Sequence, residues 1–179
     1  MSAKPRFATV WLGGCSGCHM SFLDLDEWLF ELAGLVDVVF TPIADVKEFP
    51  ENVDVALVEG AVANEENEEM LLRVRQNSRI LVALGDCAAT GNVTALRNPL
   101  GLALEVLKPV YIDRGDLNPR IPDEHKIVPV LLDRVVPIHQ VVPVDYFLPG
   151  CPPSATAIRE ALQAVLAGKS LDGMTRRFG

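Results

Sequence analysis

Cys15, Cys18, Cys87 and Cys151 are the residues of this chain best equipped for chemistry, and they are its only cysteines. Each stands just beyond a strand-like apolar run, beside glycine, proline or small residues. Thiolates are nucleophiles and soft metal ligands, and four of them placed this way point to a metal site. Four thiolates suit either a tetrahedral zinc or a 4Fe-4S cluster. Structural zinc is usually gripped by two C-x2-C knuckles in a small domain without its own core. Here one pair, Cys15 and Cys18, is joined by two isolated cysteines, which favours iron-sulfur. A redox dithiol at Cys15 and Cys18 leaves Cys87 and Cys151 unexplained. Cysteines serving only as small hydrophobes are common singly and poor as an account of four at strand ends.

The elements that must bring these thiols together alternate along the chain. Residues 7–12, 36–41, 53–59, 79–84 and 146–148 read as strands, several rich in Val, Ile and Leu with little polar alternation, as in a parallel sheet covered on both faces. Between them, 21–33 carries Phe22, Leu25, Trp28, Leu29 and Leu32 at helical spacing, with Ser21 and Asp24 arranged as a capping box. A helix over 64–76 is capped by Asn64, and its acidic start suits a helix N-terminus. Residues 94–107 carry a weaker helical pattern interrupted by Pro99 and Gly101, and 154–166 the clearest one, stopped by Gly168.

This alternation predicts an α/β fold: a flavodoxin-like, doubly wound parallel sheet of strand order 2-1-3-4-5 with helices on both faces. Ligands of open α/β sheets bind beyond the carboxyl ends of the strands. Cys15 and Cys18 follow the first strand, Cys87 the fourth and Cys151 the fifth, so the topology predicts that all four overhang one edge. Residues 1–179 are read as a single domain in which 108–145 is a long proline-rich connection. Within it, 127–132 and 135–142 are expected as short edge strands, because proline withholds ladder donors.

At 179 residues the chain is long enough to bury roughly 70% of its extended surface, so it needs no metal in order to fold. A net charge of −8 argues against a nucleic-acid partner. The first apolar run is too short for a signal peptide or a membrane span, and a cytoplasmic location is expected. Hydrophobic residues make up 49% of so acidic a chain, an excess that suits a large protein interface.

Four ordered motifs carry a resemblance: Trp11-Leu12-Gly13-Gly14-Cys15-Ser16-Gly17-Cys18, Val58-Glu59-Gly60-Ala61, Gly85-Asp86-Cys87-Ala88 and Pro149-Gly150-Cys151-Pro152-Pro153. Together they resemble the small subunit of NiFe-hydrogenases, above all the short form in cytoplasmic NAD-reducing enzymes. The resemblance implies that Cys15, Cys18, Cys87 and Cys151 hold one proximal 4Fe-4S cluster. It implies a large subunit bearing the NiFe centre, and iron-sulfur and FMN diaphorase partners that reduce NAD. No catalytic residue is then expected on this chain, because no thiol is left over for nickel. Respiratory members carry a twin-arginine signal and a C-terminal extension with further cluster ligands, which these residues do not contain. The related subunit of quinone-reducing complex I has adjacent first cysteines, whereas Ser16 and Gly17 separate Cys15 from Cys18 here. That relative and a flavodoxin-like FMN-binding module are the alternatives.

Some other residues invite a role. His19 either serves the site or is a partly exposed loop histidine. Glu59, at the end of a buried strand, is expected to anchor a loop by hydrogen bonds, and the resemblance adds interface or proton-relay roles. Asp86 is expected to cap the turn at Cys87. Trp11 and Trp28 are expected to fill core or interface, and His125 and His139 are assigned no role.

Overall fold

A computed structural model describes residues 3–124 and 127–171. Its strands are β1 Arg6–Trp11, β2 Asp37–Phe40, β3 Val53–Glu59, β4 Val62–Asn64, β5 Ser78–Leu84, β6 Leu131–Val136 and β7 Tyr146–Leu148. The helices are α1 Gly17–Leu23, α2 Trp28–Leu35, α3 Glu65–Asn77, α4 Gly85–Thr90, α5 Ala103–Tyr111 and α6 Ala155–Leu166. Five strands form one parallel sheet in the order β2-β1-β3-β5-β7. Counted among themselves these are 2-1-3-4-5, the expected winding.

Apolar side chains fill both faces of the sheet. On one face Phe7, Val55, Leu57 and Val82 pack with Trp28 and Leu32 of α2 and with Ile158, Leu162 and Val165 of α6. On the other, Ala56, Val58, Leu81 and Ala83 pack with Leu71 and Val74 of α3 and with Ile138. Neighbouring residues of β3 thus enter opposite cores, as the two-residue strand period requires. At roughly 1.5–3 kcal/mol for each large apolar side chain fully buried, these layers can hold the sheet without a metal.

The helix caps follow the sequence. Asn64 accepts from the Asn67 N–H at 2.8 Å, and Ser154 accepts from the Ala157 N–H at 3.2 Å; each cap contributes about 1 kcal/mol. The single helix expected over 21–33 is instead two, α1 and α2. The chain tightens into three-residue turns from Phe22 to Asp26, and Asp26 adopts a left-handed φ of 50°. Leu25 and Trp28 remain buried across this break, and Phe22 packs against the same cluster, so the apolar spacing survives although the helix does not. Ser21 caps nothing locally, since its hydroxyl reaches Pro153. The weak pattern at 94–107 divides at Gly101 (φ 120°) into a 3-10 helix, Asn92–Leu100, and α5.

The edge strands expected at 127–132 and 135–142 are replaced by one strand, β6, outside the main sheet. It pairs antiparallel with β4, and the chain then turns into a short 3-10 helix, Ile138–Gln140. Pro129 and Pro137 bracket β6 and deny longer pairing on either side. Arg97 clips this ribbon from the side, donating to the carbonyls of Leu132 at 2.6 Å and Ala63 at 3.1 Å.

Candidate metal centre

The C-terminal ends of β1, β3, β5 and β7 share one edge of the sheet, and the loops that leave it carry the cysteines. After β1 the chain runs through Gly13 and Gly14, which lie against Gly60 and Ala61: the Gly13 N–H donates to the Ala61 carbonyl at 2.9 Å, and the Ala61 N–H returns to Gly13 at 2.7 Å. Ser16 then takes a left-handed φ of 66° and provides no side-chain cap for α1. For a non-glycine residue that conformation costs roughly 1–2 kcal/mol. It leaves Cys15 exposed and puts Cys18 into the first turn of α1, buried.

The unpartnered amides at the start of α1 are met by a carboxylate from another element. Glu59, at the end of β3 and 1% exposed, accepts from the Cys18 N–H at 3.3 Å and from the His19 N–H at 2.8 Å. Its second oxygen also bonds His19 Nδ1. Glu59 is therefore the anchor expected from the sequence, doing at a distance the work of an N-cap. His19 is not a loop residue: it lies buried in α1, and its Nε2 has no hydrogen-bond partner among the described residues. Trp11 is half exposed beside it, with ring centroids 6.3 Å apart, while Trp28 is in the core. His139 packs edge-on against Phe147, away from any ligand set, and His125 lies outside the described residues.

Cys87 is carried in the first turn of α4, directly after β5. Asp86 does not cap that turn. Its N–H donates to the Gly150 carbonyl at 2.9 Å and its carboxylate accepts the Gly150 N–H at 2.7 Å, which ties the loop of Cys87 to that of Cys151. Ser21 of α1 donates to the Pro153 carbonyl at 2.5 Å, so the loop of Cys151 is held from two sides.

These ties bring the thiols into one neighbourhood. Burial, the Glu59 carboxylate and the thiols of Cys87, Cys15 and Cys151 all push the Cys18 thiol pKa upward. Cys87 is raised by burial and by Cys15 and Cys151, with partial relief from hydrogen bonds to Thr94 and the Val93 amide. The thiols of Cys18 and Cys87, disfavoured as thiolates by burial and by their neighbours, belong to a donor set that a cationic metal group would neutralise. A Cβ placed on Gly85 (φ 81°) would lie 2.2 Å from Cys18 Sγ, so the backbone there is kept bare for sulfur. Among the described residues no three His, Cys, Asp or Glu side chains gather closely enough for a single ion.

Residues 15–165 match the family described as NADH ubiquinone oxidoreductase, 20 Kd subunit, a match that starts at Cys15 and takes in all four cysteines. The chain belongs to this family. Similar proteins include hydrogenase subunits. The chain is 38% identical over 172 residues to the delta subunit of the NAD-reducing hydrogenase HoxS of Cupriavidus necator, covering 94% of this chain and 82% of that one. It is 43% identical over 166 residues to a subunit of the F420-non-reducing hydrogenase of Methanocaldococcus jannaschii, covering 92% of this chain but 57% of that longer protein. A chain in the crystal structure of an NAD+-reducing [NiFe]-hydrogenase in the H2-reduced state superposes with a TM-score of 0.90 at 42% identity, covering 98% of this chain and 99% of that one. The [NiFeSe] hydrogenase of Desulfovibrio vulgaris Hildenborough shares the fold, at a TM-score of 0.60 and 15% identity.

Cys15, Cys18, Cys87 and Cys151 were legible in the sequence as a set. Asn92 was not: its side chain lies 3.3 Å from Cys151 Sγ, and a lone amide ahead of the weak helical pattern at 94–107 carries no signal of its own.

Proposed function

We propose that this chain is the electron-relay subunit of a cytoplasmic, NAD-reducing NiFe-hydrogenase, with Cys15, Cys18, Cys87 and Cys151 as ligands of one 4Fe-4S cluster. When bound, the cluster supplies one-electron transfer between the NiFe site of a large subunit and the iron-sulfur and FMN partners that reduce NAD. The overall reaction is H2 + NAD+ = H+ + NADH. The observation that carries this reading is the meeting of four thiols at one sheet edge in a chain alike over nearly its whole length to a chain of an NAD+-reducing [NiFe]-hydrogenase.

The residues of this chain hold and insulate. Glu59 fixes the first turn of α1 and with it Cys18, while the reciprocal bonds of Asp86 and Gly150 fix the spacing of Cys87 and Cys151. Cys18 and Cys87 are buried, which keeps water from that side of the site, and Cys15 and Cys151 are exposed at the rim where a partner can approach. With all four thiols engaged, none is left to bind nickel, so hydrogen is activated on the large subunit.

A second reading, that the electrons reach an acceptor other than NAD, follows from the 43% identity to a hydrogenase subunit that is not named for NAD. Its partial coverage of that longer protein weighs against it. The test is hydrogen-dependent NAD reduction by the purified complex, before and after Cys87→Ser or Cys151→Ser. Either variant is expected to abolish NAD reduction while hydrogen–deuterium exchange at the large subunit persists. Undiminished NAD reduction in the variants would refute the relay, and dye reduction without NAD reduction in the unaltered complex would favour the second reading.

A further inference from the structure

Helix α4 ends in a reversal that has no structural need to be built on asparagine. Gly91 closes the helix with its N–H on the Cys87 carbonyl at 2.9 Å and a φ of 88°, and Asn92 follows with a φ of 34°. Two successive left-handed residues fold the chain back over the thiols. Glycine would take the second position without strain, and asparagine is among the few other residues that tolerate it. What asparagine adds is a donor. Its Nδ2 lies 3.3 Å from Cys151 Sγ, a contact across 59 residues of sequence. Thr94, two residues on, stands between Cys87 and the Gly13 carbonyl, 2.9 Å from the latter, and does not reach Cys151.

We propose that Asn92 tunes the reduction potential of the cluster by donating a hydrogen bond to the Cys151 sulfur; the proposal rests on the 4Fe-4S reading of the site. A reduced cluster carries one more negative charge than the oxidised one, so a fixed N–H aimed at a ligand sulfur stabilises the reduced form more. Cys151 is exposed at the rim, and Asn92 reaches its sulfur there from a loop 59 residues away in sequence. Asn92 is thus a tuning residue, acting through a ligand and not on hydrogen or NAD.

The test is a potentiometric EPR titration of the intact hydrogenase complex, with this chain's signal identified by its loss in Cys87→Ser. Asn92→Gly keeps the backbone free and deletes the donor; it should retain full iron and sulfide and shift the midpoint potential negative. Asn92→Asp should shift it further negative, because a carboxylate then faces the thiolate. An unchanged midpoint in a fully loaded Asn92→Gly complex would overturn the proposal. So would loss of the cluster in that variant, which would make Asn92 a structural clamp. An unaltered complex lacking iron and sulfide would instead defeat the relay reading itself.

Discussion

The Asp86 N–H donates to the Gly150 carbonyl at 2.9 Å, and the Asp86 carboxylate takes the Gly150 N–H at 2.7 Å. Each residue immediately precedes a candidate ligand, so this two-bond clasp sets how far Cys87 stands from Cys151. Asp86→Ala leaves the Gly150 amide without its acceptor and is expected to cost about 1–3 kcal/mol. Asp86→Asn retains one oxygen and should recover part of that loss. Chemical denaturation together with iron content of the purified complex checks the ordering, with Ala below Asn and Asn below the unaltered chain.

Gly85 and Gly34 should respond oppositely to alanine. At Gly85 the left-handed φ of 81° adds roughly 1–2 kcal/mol of strain for any side chain, and the new methyl would meet Cys18 Sγ. Gly85→Ala is therefore expected to lose most of its iron. Gly34, in α2, has nothing within 4 Å of an added Cβ, and Gly34→Ala should raise stability by about 0.5 kcal/mol with iron content unchanged. Paired metal analysis and unfolding curves report both.

Glu59 is required by the amides it satisfies. Glu59→Ala leaves the Cys18 and His19 N–H groups and the His19 ring without their shared acceptor, at about 1–3 kcal/mol for each buried donor so stranded. Glu59→Gln restores one acceptor oxygen and should fall between. Urea midpoints of the three forms give the comparison, and equal midpoints for Ala and the unaltered chain would remove Glu59 from the account.

In the metal-free chain the buried thiols should resist both alkylation and ionisation. Cys15 and Cys151 are exposed and should react with iodoacetamide first, with Cys18 and Cys87 modified many-fold more slowly, as peptide mass spectrometry would resolve. The pKa values of Cys18 and Cys87 are raised in the folded chain. The stability they contribute is therefore complete below the ordinary thiol pKa of about 8.5 and falls as pH rises through the range between unfolded and folded values. The unfolding midpoint of metal-free protein should drop above that pH.

Much of the site was legible before the fold was known because its signals are local. A cysteine after an apolar run, and Asn64 or Ser154 ahead of a helical pattern, are read from neighbours in sequence. The strand order followed for the same reason, since apolar runs, several of them rich in Val, Ile and Leu, alternate with helical patterns along the chain. What the sequence hid depends on distant partners. Asp86 reads as a local cap until Gly150 is beside it, and Asn92 reads as nothing until Cys151 is. The break between α1 and α2 was concealed because Leu25 and Trp28 reach the core on either side of it. The three-residue strand β4 is too short for any periodicity, and its partner β6 lies more than sixty residues away.

One 4Fe-4S cluster on these four thiols can be read out by iron and acid-labile sulfide analysis with EPR of the reduced complex, compared with its Cys87→Ser variant. The expected result is that the variant loses iron and acid-labile sulfide in equal amounts, together with one reduced-cluster signal. Iron and sulfide contents unchanged by the substitution, or an EPR spectrum identical in the two proteins, would contradict it.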